Sequence, residues 1–129
     1  MNAQRLVIVV WSCGPDRPGG AVLAAAPFVY ALAARAMEID VEMHFTSSTA
    51  RWLVESVARD AYTDAARSKT VLDFIREVKA AGVALHPCAM ALAEHRRAGE
   101  ALLPEVDGIA GAATVIGAAF EDGTRTLVF

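Results

Sequence analysis

Leu6-Val7-Ile8-Val9-Val10-Trp11 is an unbroken apolar run rich in β-branched residues. A strand with one wet face alternates apolar and polar residues; a continuous run of this length marks a strand covered on both faces. Such a strand needs a layer above and below its sheet. The rest of the chain supplies the layers. After a loop with two prolines and three glycines, Ser12 to Gly20, a helix is predicted over Ala21 to Glu38, with Pro27 bending it or marking its true first turn.

Strand and helix then alternate. Ile39 to Thr46 reads as a strand, with Ile39, Val41, Met43 and Phe45 on one face and Asp40, Glu42 and His44 on the other. Thr46-Ser47-Ser48-Thr49 offers N-caps for a helix through Trp52, Leu53 and Val57, and Asp60 to Ser68 reads as a loop. Val71, Leu72, Phe74, Ile75 and Val78 have helical spacing within Thr70 to Ala81, and Gly82 ends that helix. Val83 to His86 is a third strand, Ala89 to Ala98 a helix, Val106 to Ile109 a short strand, Ala110 to Phe120 a small-residue helix, and Thr124 to Phe129 a last strand. This order predicts an α/β fold: a three-layer α/β/α sandwich of flavodoxin-like architecture around a mostly parallel five-stranded sheet, with right-handed crossovers. A length of 129 residues suits one domain spanning 1–129.

Composition narrows the function classes. A net charge of −3, with no basic run longer than Arg96-Arg97, argues against nucleic acid as a partner. No apolar stretch is long enough to span a bilayer, so no membrane partner is expected. The amino terminus carries no basic segment followed by an apolar one, which points to the cytoplasm. The hydrophobic share of 55% is high for so small a domain, so part of that surface is expected in a subunit interface.

The chemistry centres on Cys88, in Leu85-His86-Pro87-Cys88-Ala89-Met90, where a strand pattern gives way to a helical one. Ligands of open α/β sheets bind at the carboxyl edge of the strands, where this thiol falls. The partial positive charge of a helix start also favours a thiolate. A reactive thiol and an inert core residue both remain open readings. His86, two residues earlier, shares a face with Cys88 if the chain stays extended there; it either supports the thiolate or makes one ordinary hydrogen bond.

His44 ends the second strand and is a further candidate for the same edge, as are Cys13 and Gly14 in the first loop. Cys13 is read as a small buried filler or as a resolving partner of Cys88. The first loop is neither G-x-x-x-x-G-K-[ST] nor G-x-G-x-x-G, and Pro15 and Pro18 remove N–H donors that a phosphate would need. His44, His86, Cys13 and Cys88 match no usual zinc spacing, so no metal site is expected, and nothing in the sequence asks for a cofactor.

Five stretches together carry a resemblance. They are Leu6 to Val10; Ala24-Ala25-Ala26-Pro27-Phe28 through Ala33-Ala34-Arg35-Ala36-Met37 to Phe45-Thr46; Val71 to Val78 with Gly82-Val83; Cys88-Ala89-Met90-Ala91-Leu92; and Leu103-Pro104-Glu105-Val106-Asp107-Gly108-Ile109-Ala110-Gly111. In this order and spacing the chain resembles the DsrE/DsrF-like (DsrEFH-like) family of small α/β sulfur-relay proteins over nearly its whole length. The resemblance implies a sulfurtransferase-like carrier that holds sulfane sulfur as a persulfide on Cys88 and passes it to a partner protein. It also implies assembly into homo-trimers or hexamers. Three positions depart from the family pattern: Met90 and Ala91 stand where many relatives have a second cysteine, Glu38 where glycine usually follows the first helix, and Cys13 where the loop residue is generally another type. The rival readings are a non-catalytic module that binds a small molecule or nucleotide at the same edge, and an oligomeric regulatory subunit whose thiols are incidental.

Overall fold

The computed structural model describes residues 4–129. The reading of the amino terminus as leaderless falls partly on residues 1–3, outside the described residues. The opening apolar run forms β1 (Arg5–Val10), followed by α1 (Gly20–Ala36), which passes through Pro27 without ending. Next come β2 (Asp40–Phe45), a 3-10 helix (Ser47–Leu53) and the one-turn α2 (Glu55–Ala58). α3 (Val71–Ala80) starts on a capping box, in which the Thr70 hydroxyl accepts from the Asp73 N–H and the Asp73 carboxylate accepts from the Thr70 N–H. β3 (Ala84–Pro87), α4 (Ala89–His95), α5 (Ala112–Ala119) and β4 (Thr124–Val128) complete the chain.

The sheet is wholly parallel, in the order β3-β2-β1-β4. The chain steps outward one way from β1 to β3 and then crosses back to β4, so α1 and α3 cover one face and α5 the other. Alternation along the strands divides the work. Ile8, Val10, Val41, Met43, Phe45 and Leu85 point into the main core beneath α1 and α3. There Phe28 stacks on Phe74 at 5.7 Å and tilts against Phe45 at 6.1 Å. The opposite face presents Arg5, Val7 and Val9 of β1, Glu42 and His44 of β2, and His86 of β3.

The sheet has four strands among the described residues, not the five expected, because Val106–Ile109 does not form a strand. That segment lies beside β3, and its backbone pairs with it through the Asp107 N–H to the Leu85 carbonyl at 2.8 Å, the Ala110 N–H to the Pro87 carbonyl at 2.9 Å, and a bridge between Cys88 and Ala110. A side chain takes the rung a strand would fill: the Asp107 carboxylate accepts the Leu85 N–H at 2.8 Å and both oxygens meet Lys79 Nζ at 2.7 Å. The helix expected through Trp52 and Val57 is likewise broken into a 3-10 piece and α2. The Thr49 hydroxyl sits between the Val10 and Thr46 carbonyls, at 2.7 and 2.6 Å, and Ser47 adopts φ 50°, so side chain and backbone favour a tight turn over an α-helix. No helix among the described residues is long and apolar enough to cross a membrane.

Candidate functional site

A cavity of about 180 Å3 opens on the second face of the sheet, at the carboxyl ends of β1, β2 and β3. The sheet contributes Val9, His44 and Thr46 to its lining, the end of β3 contributes Cys88, and Ala110, Gly111, Ala112, Val115 and Ile116 close it from the side of α5. Its walls are chiefly hydrocarbon. Cys88 is partly buried and holds the N-cap position of α4. Its N–H extends the β2–β3 pairing to the Phe45 carbonyl at 2.9 Å, and its carbonyl accepts the Leu92 N–H at 3.0 Å. The backbone at the thiol is thus fixed from both sides, while the side chain makes no capping hydrogen bond.

His44 is buried, at 4% exposure. Its Nε2–H donates to Glu42 Oε1 at 3.2 Å, Glu42 Oε2 accepts from Arg5 at 2.6 Å, and Arg5 reaches on to Glu121 at 2.8 Å. A row of charge therefore runs under the cavity from β2 across β1 to the loop before β4. Burial pushes the His44 ring below its ordinary value, against the smaller upward pull of Glu42, so the imidazole is neutral at neutral pH. Burial also raises the Glu42 carboxyl, but the bonds from Arg5 and His44 outweigh it and hold the group below the usual carboxylate range.

The other sequence candidates fall elsewhere. His86 stacks on His44 with ring centroids 5.0 Å apart, its Nδ1–H donates to the Gly108 carbonyl at 2.7 Å, and it does not line the cavity. Cys13 is buried in the core on the α1 side, where its carbonyl accepts the Trp52 indole N–H at 2.7 Å and burial pushes its thiol up. It shares no wall with Cys88. Gly14 is a packing position: a Cβ there would come 2.0 Å from Ser48 Oγ. Among the described residues no group of three or more His, Cys, Asp and Glu side chains is placed to hold a metal.

The first loop borders a second, shallower groove of about 510 Å3, lined by Arg17, Arg51, Trp52 and Tyr62 among others. Its cations are engaged, Arg51 with Glu100 at 2.7 Å and Arg17 with the Ser12 carbonyl at 2.9 Å. The loop amides of Arg17 and Gly20 bond to the loop's own carbonyls, while the start of α1 at Ala21 and Val22 carries no side-chain cap.

Sequence reasoning did not reach Glu42 and Arg5, or the α5 wall. The Glu42–His44 alternation was visible, and it signals that two residues sharing a face can bond. Nothing local announced that Val115 and Ile116 would lie over Val9.

A protein-family model described as the DsrE/DsrF-like family matches residues 15–129. The chain belongs to that family. Compared with curated proteins, the sequence finds no match. Among solved structures, this DsrE/DsrF-like chain is similar to the YchN protein of E. coli, with a TM-score of 0.74 at 15% identity, covering 98% of this chain and 99% of that one. It is also similar to MTH1491 of Methanobacterium thermoautotrophicum, a protein of unknown function, with a TM-score of 0.66 at 17% identity and the same coverage of 98% and 99%. At these identities the likeness establishes the fold, an α/β fold with a parallel sheet flanked by helices. The DsrE/DsrF-like family is generally associated with sulfur relay.

Proposed function

We propose that the protein is a sulfur carrier that accepts sulfane sulfur on Cys88 as a persulfide and hands it to a partner protein. The observation that carries this reading is the placement of the one cavity-lining thiol in an apolar pocket at the sheet's carboxyl edge. A thiolate at Cys88 attacks the outer sulfur of a donor persulfide, the donor S–S bond breaks, and the donor leaves as a thiolate. An acceptor thiolate then attacks the outer sulfur of the Cys88 persulfide and restores Cys88. Each step exchanges one S–S bond for another, so no external oxidant or reductant is needed.

Size supports the same reading over the nucleotide-binding one. The cavity's roughly 180 Å3 is well short of the about 300–1,000 Å3 of sites that enclose drug-sized ligands. It suits a short polysulfide or the tip of a partner's cysteine-bearing segment. The larger groove by the first loop has the volume, but its arginines are already engaged.

The reading extends to assembly as a homo-oligomer. Ile109, Ile116, Phe120 and Val128, near the α5 wall, are all more than half exposed, an apolar surface that association between copies would cover.

The test is incubation with polysulfide followed by intact-mass and peptide analysis. The parent is expected to gain sulfur on Cys88, and Cys88→Ser to gain none. Equal uptake by Cys88→Ser would end the proposal.

A further inference from the structure

His44 lines the same cavity as Cys88, and His86 stacks on His44 outside it. We propose that His44, not His86, is the base that takes the Cys88 thiol proton, with Glu42 and Arg5 behind it fixing which ring nitrogen is free to do so. For the sulfur-transfer step the proposal rests on the reading above; the proton step itself is readable on Cys88 without any sulfur donor.

The tautomer follows from the partners. A carboxylate only accepts, so the His44 Nε2 facing Glu42 must carry the hydrogen, and in the neutral ring the lone pair is then on Nδ1. Glu42 is itself pinned by Arg5, whose second nitrogen is held by Glu121. No protein group bonds His44 Nδ1 among the described residues. Nor is that atom sealed from solvent: Glu105 Oε1 is the one sealed, unpartnered side-chain polar atom among them. His44 lines the cavity together with Cys88, and it is this shared space that we assign to the free nitrogen.

His86 fails on both counts. Its Nδ1–H is spent on Gly108, and it lies behind His44, outside the cavity lining. The groups facing His44 are Arg5 from β1, Glu42 on its own strand and His86 from β3; α5, which closes the cavity, contributes no titratable side chain. Burial keeps His44 neutral and able to accept.

The bookkeeping of the step closes. Cys88 Sγ–H gives its proton to His44 Nδ1 as Sγ bonds to the outer sulfur of R–S–SH. The donor's S–S bond breaks with its electron pair on R–S⁻, which takes the proton from His44 and leaves as R–SH. Cys88 is left as Sγ–SH and His44 neutral. The Glu42–His44 pair stands to Cys88 as orienting acid and base stand to a nucleophile in other activated-thiol sites.

The test is the pH dependence of Cys88 alkylation by iodoacetamide and of sulfur uptake from polysulfide, in the parent, His44→Gln and His86→Gln. Gln keeps a donor for Glu42 but has no basic nitrogen. At pH 7 His44→Gln is expected to slow both reactions about a hundredfold, the low end for a positioned base. Above pH ~9.5 a free thiol, of pKa about 8.5, ionises unaided, and the rates should converge. His86→Gln should stay within about threefold of the parent throughout, the spread we allow for packing changes. A His44→Gln protein within threefold of the parent at pH 7, or equally slow at every pH, overturns the proposal. Nitrogen NMR of the parent decides independently of whether any variant folds: the Nε2–H tautomer of His44 is required, and an Nδ1–H tautomer overturns it. Sulfur uptake that survives Cys88→Ser would defeat the carrier reading while leaving the alkylation profile to judge His44.

Discussion

Asp107 replaces a strand with a side chain, and removing that side chain should reveal how much the substitution is worth. Its carboxylate accepts the N–H of Leu85, a residue with no exposed surface, and it also holds Lys79. In Asp107→Ala the buried N–H is left without a partner, at a cost of about 1–3 kcal/mol. The Lys79 pair is about one-third exposed on each side and adds at most about 1 kcal/mol. The sum, about 1–4 kcal/mol, corresponds to a fall in Tm of roughly 4–16 °C for a chain of this size. Asp107→Asn keeps an oxygen for Leu85 and loses the charge, so about 1 kcal/mol is expected, and Lys79→Ala should cost no more than that. Urea unfolding at 25 °C, with all three variants compared at a common slope, measures the order. If Lys79→Ala is as damaging as Asp107→Ala, the ion pair and not the buried N–H holds the loop to β3, and the reasoning is refuted.

Three further outcomes are expected. Gly20→Ala would bring a Cβ to 2.0 Å from the Gly14 carbonyl oxygen, a backbone atom that cannot swing away, and should cost about 1–3 kcal/mol in urea unfolding. Cys13→Ser buries a hydroxyl in the α1-side core and should cost about 1–3 kcal/mol while leaving sulfur uptake on Cys88 unchanged by intact mass; lost uptake with intact folding would show that Cys13 takes part. Stability should fall on acidification in two stages, followed by circular dichroism. His44 has a depressed folded pKa, so the unfolded chain binds its proton first and stability is lost as pH drops below about 6.5; Glu42 and Asp107, whose bonds outweigh the effect of burial, extend the loss below about pH 4. A flat profile between pH 7 and 5 would contradict the neutral, buried His44.

Much of the fold is legible in the sequence because its determinants are local. The unbroken apolar run of β1, the spacing of Val71, Leu72, Phe74, Ile75 and Val78, and the stop at Gly82 each act within a few residues. What escaped depends on partners distant in sequence. Asp107 takes a backbone donor 22 residues away, and that one bond decides that Val106–Ile109 is a loop. Ser47 and Thr49 read as helix caps, but Thr49 bonds to Val10, 39 positions earlier, and pulls the segment into a 3-10 turn. At the site, Cys88 and His44 were visible as strand-end residues. That Cys13 would turn into the opposite core depends on Trp52 reaching its carbonyl, which no local pattern announces.

The division of the sheet into an apolar face and a face bearing Arg5, Glu42, His44 and His86 has a consequence for how the chain finds its fold. Side chains alternate along a strand, so a slip of one residue in β2 would turn Glu42 and His44 toward Phe28 and expose Met43 and Phe45. Charged and imidazole groups have no partners in that core, and burying them would cost more than most other mispairings. The same residues that we place beneath the thiol therefore also proofread strand register during folding, and replacing them with apolar residues would stabilise wrong pairings along with the right one.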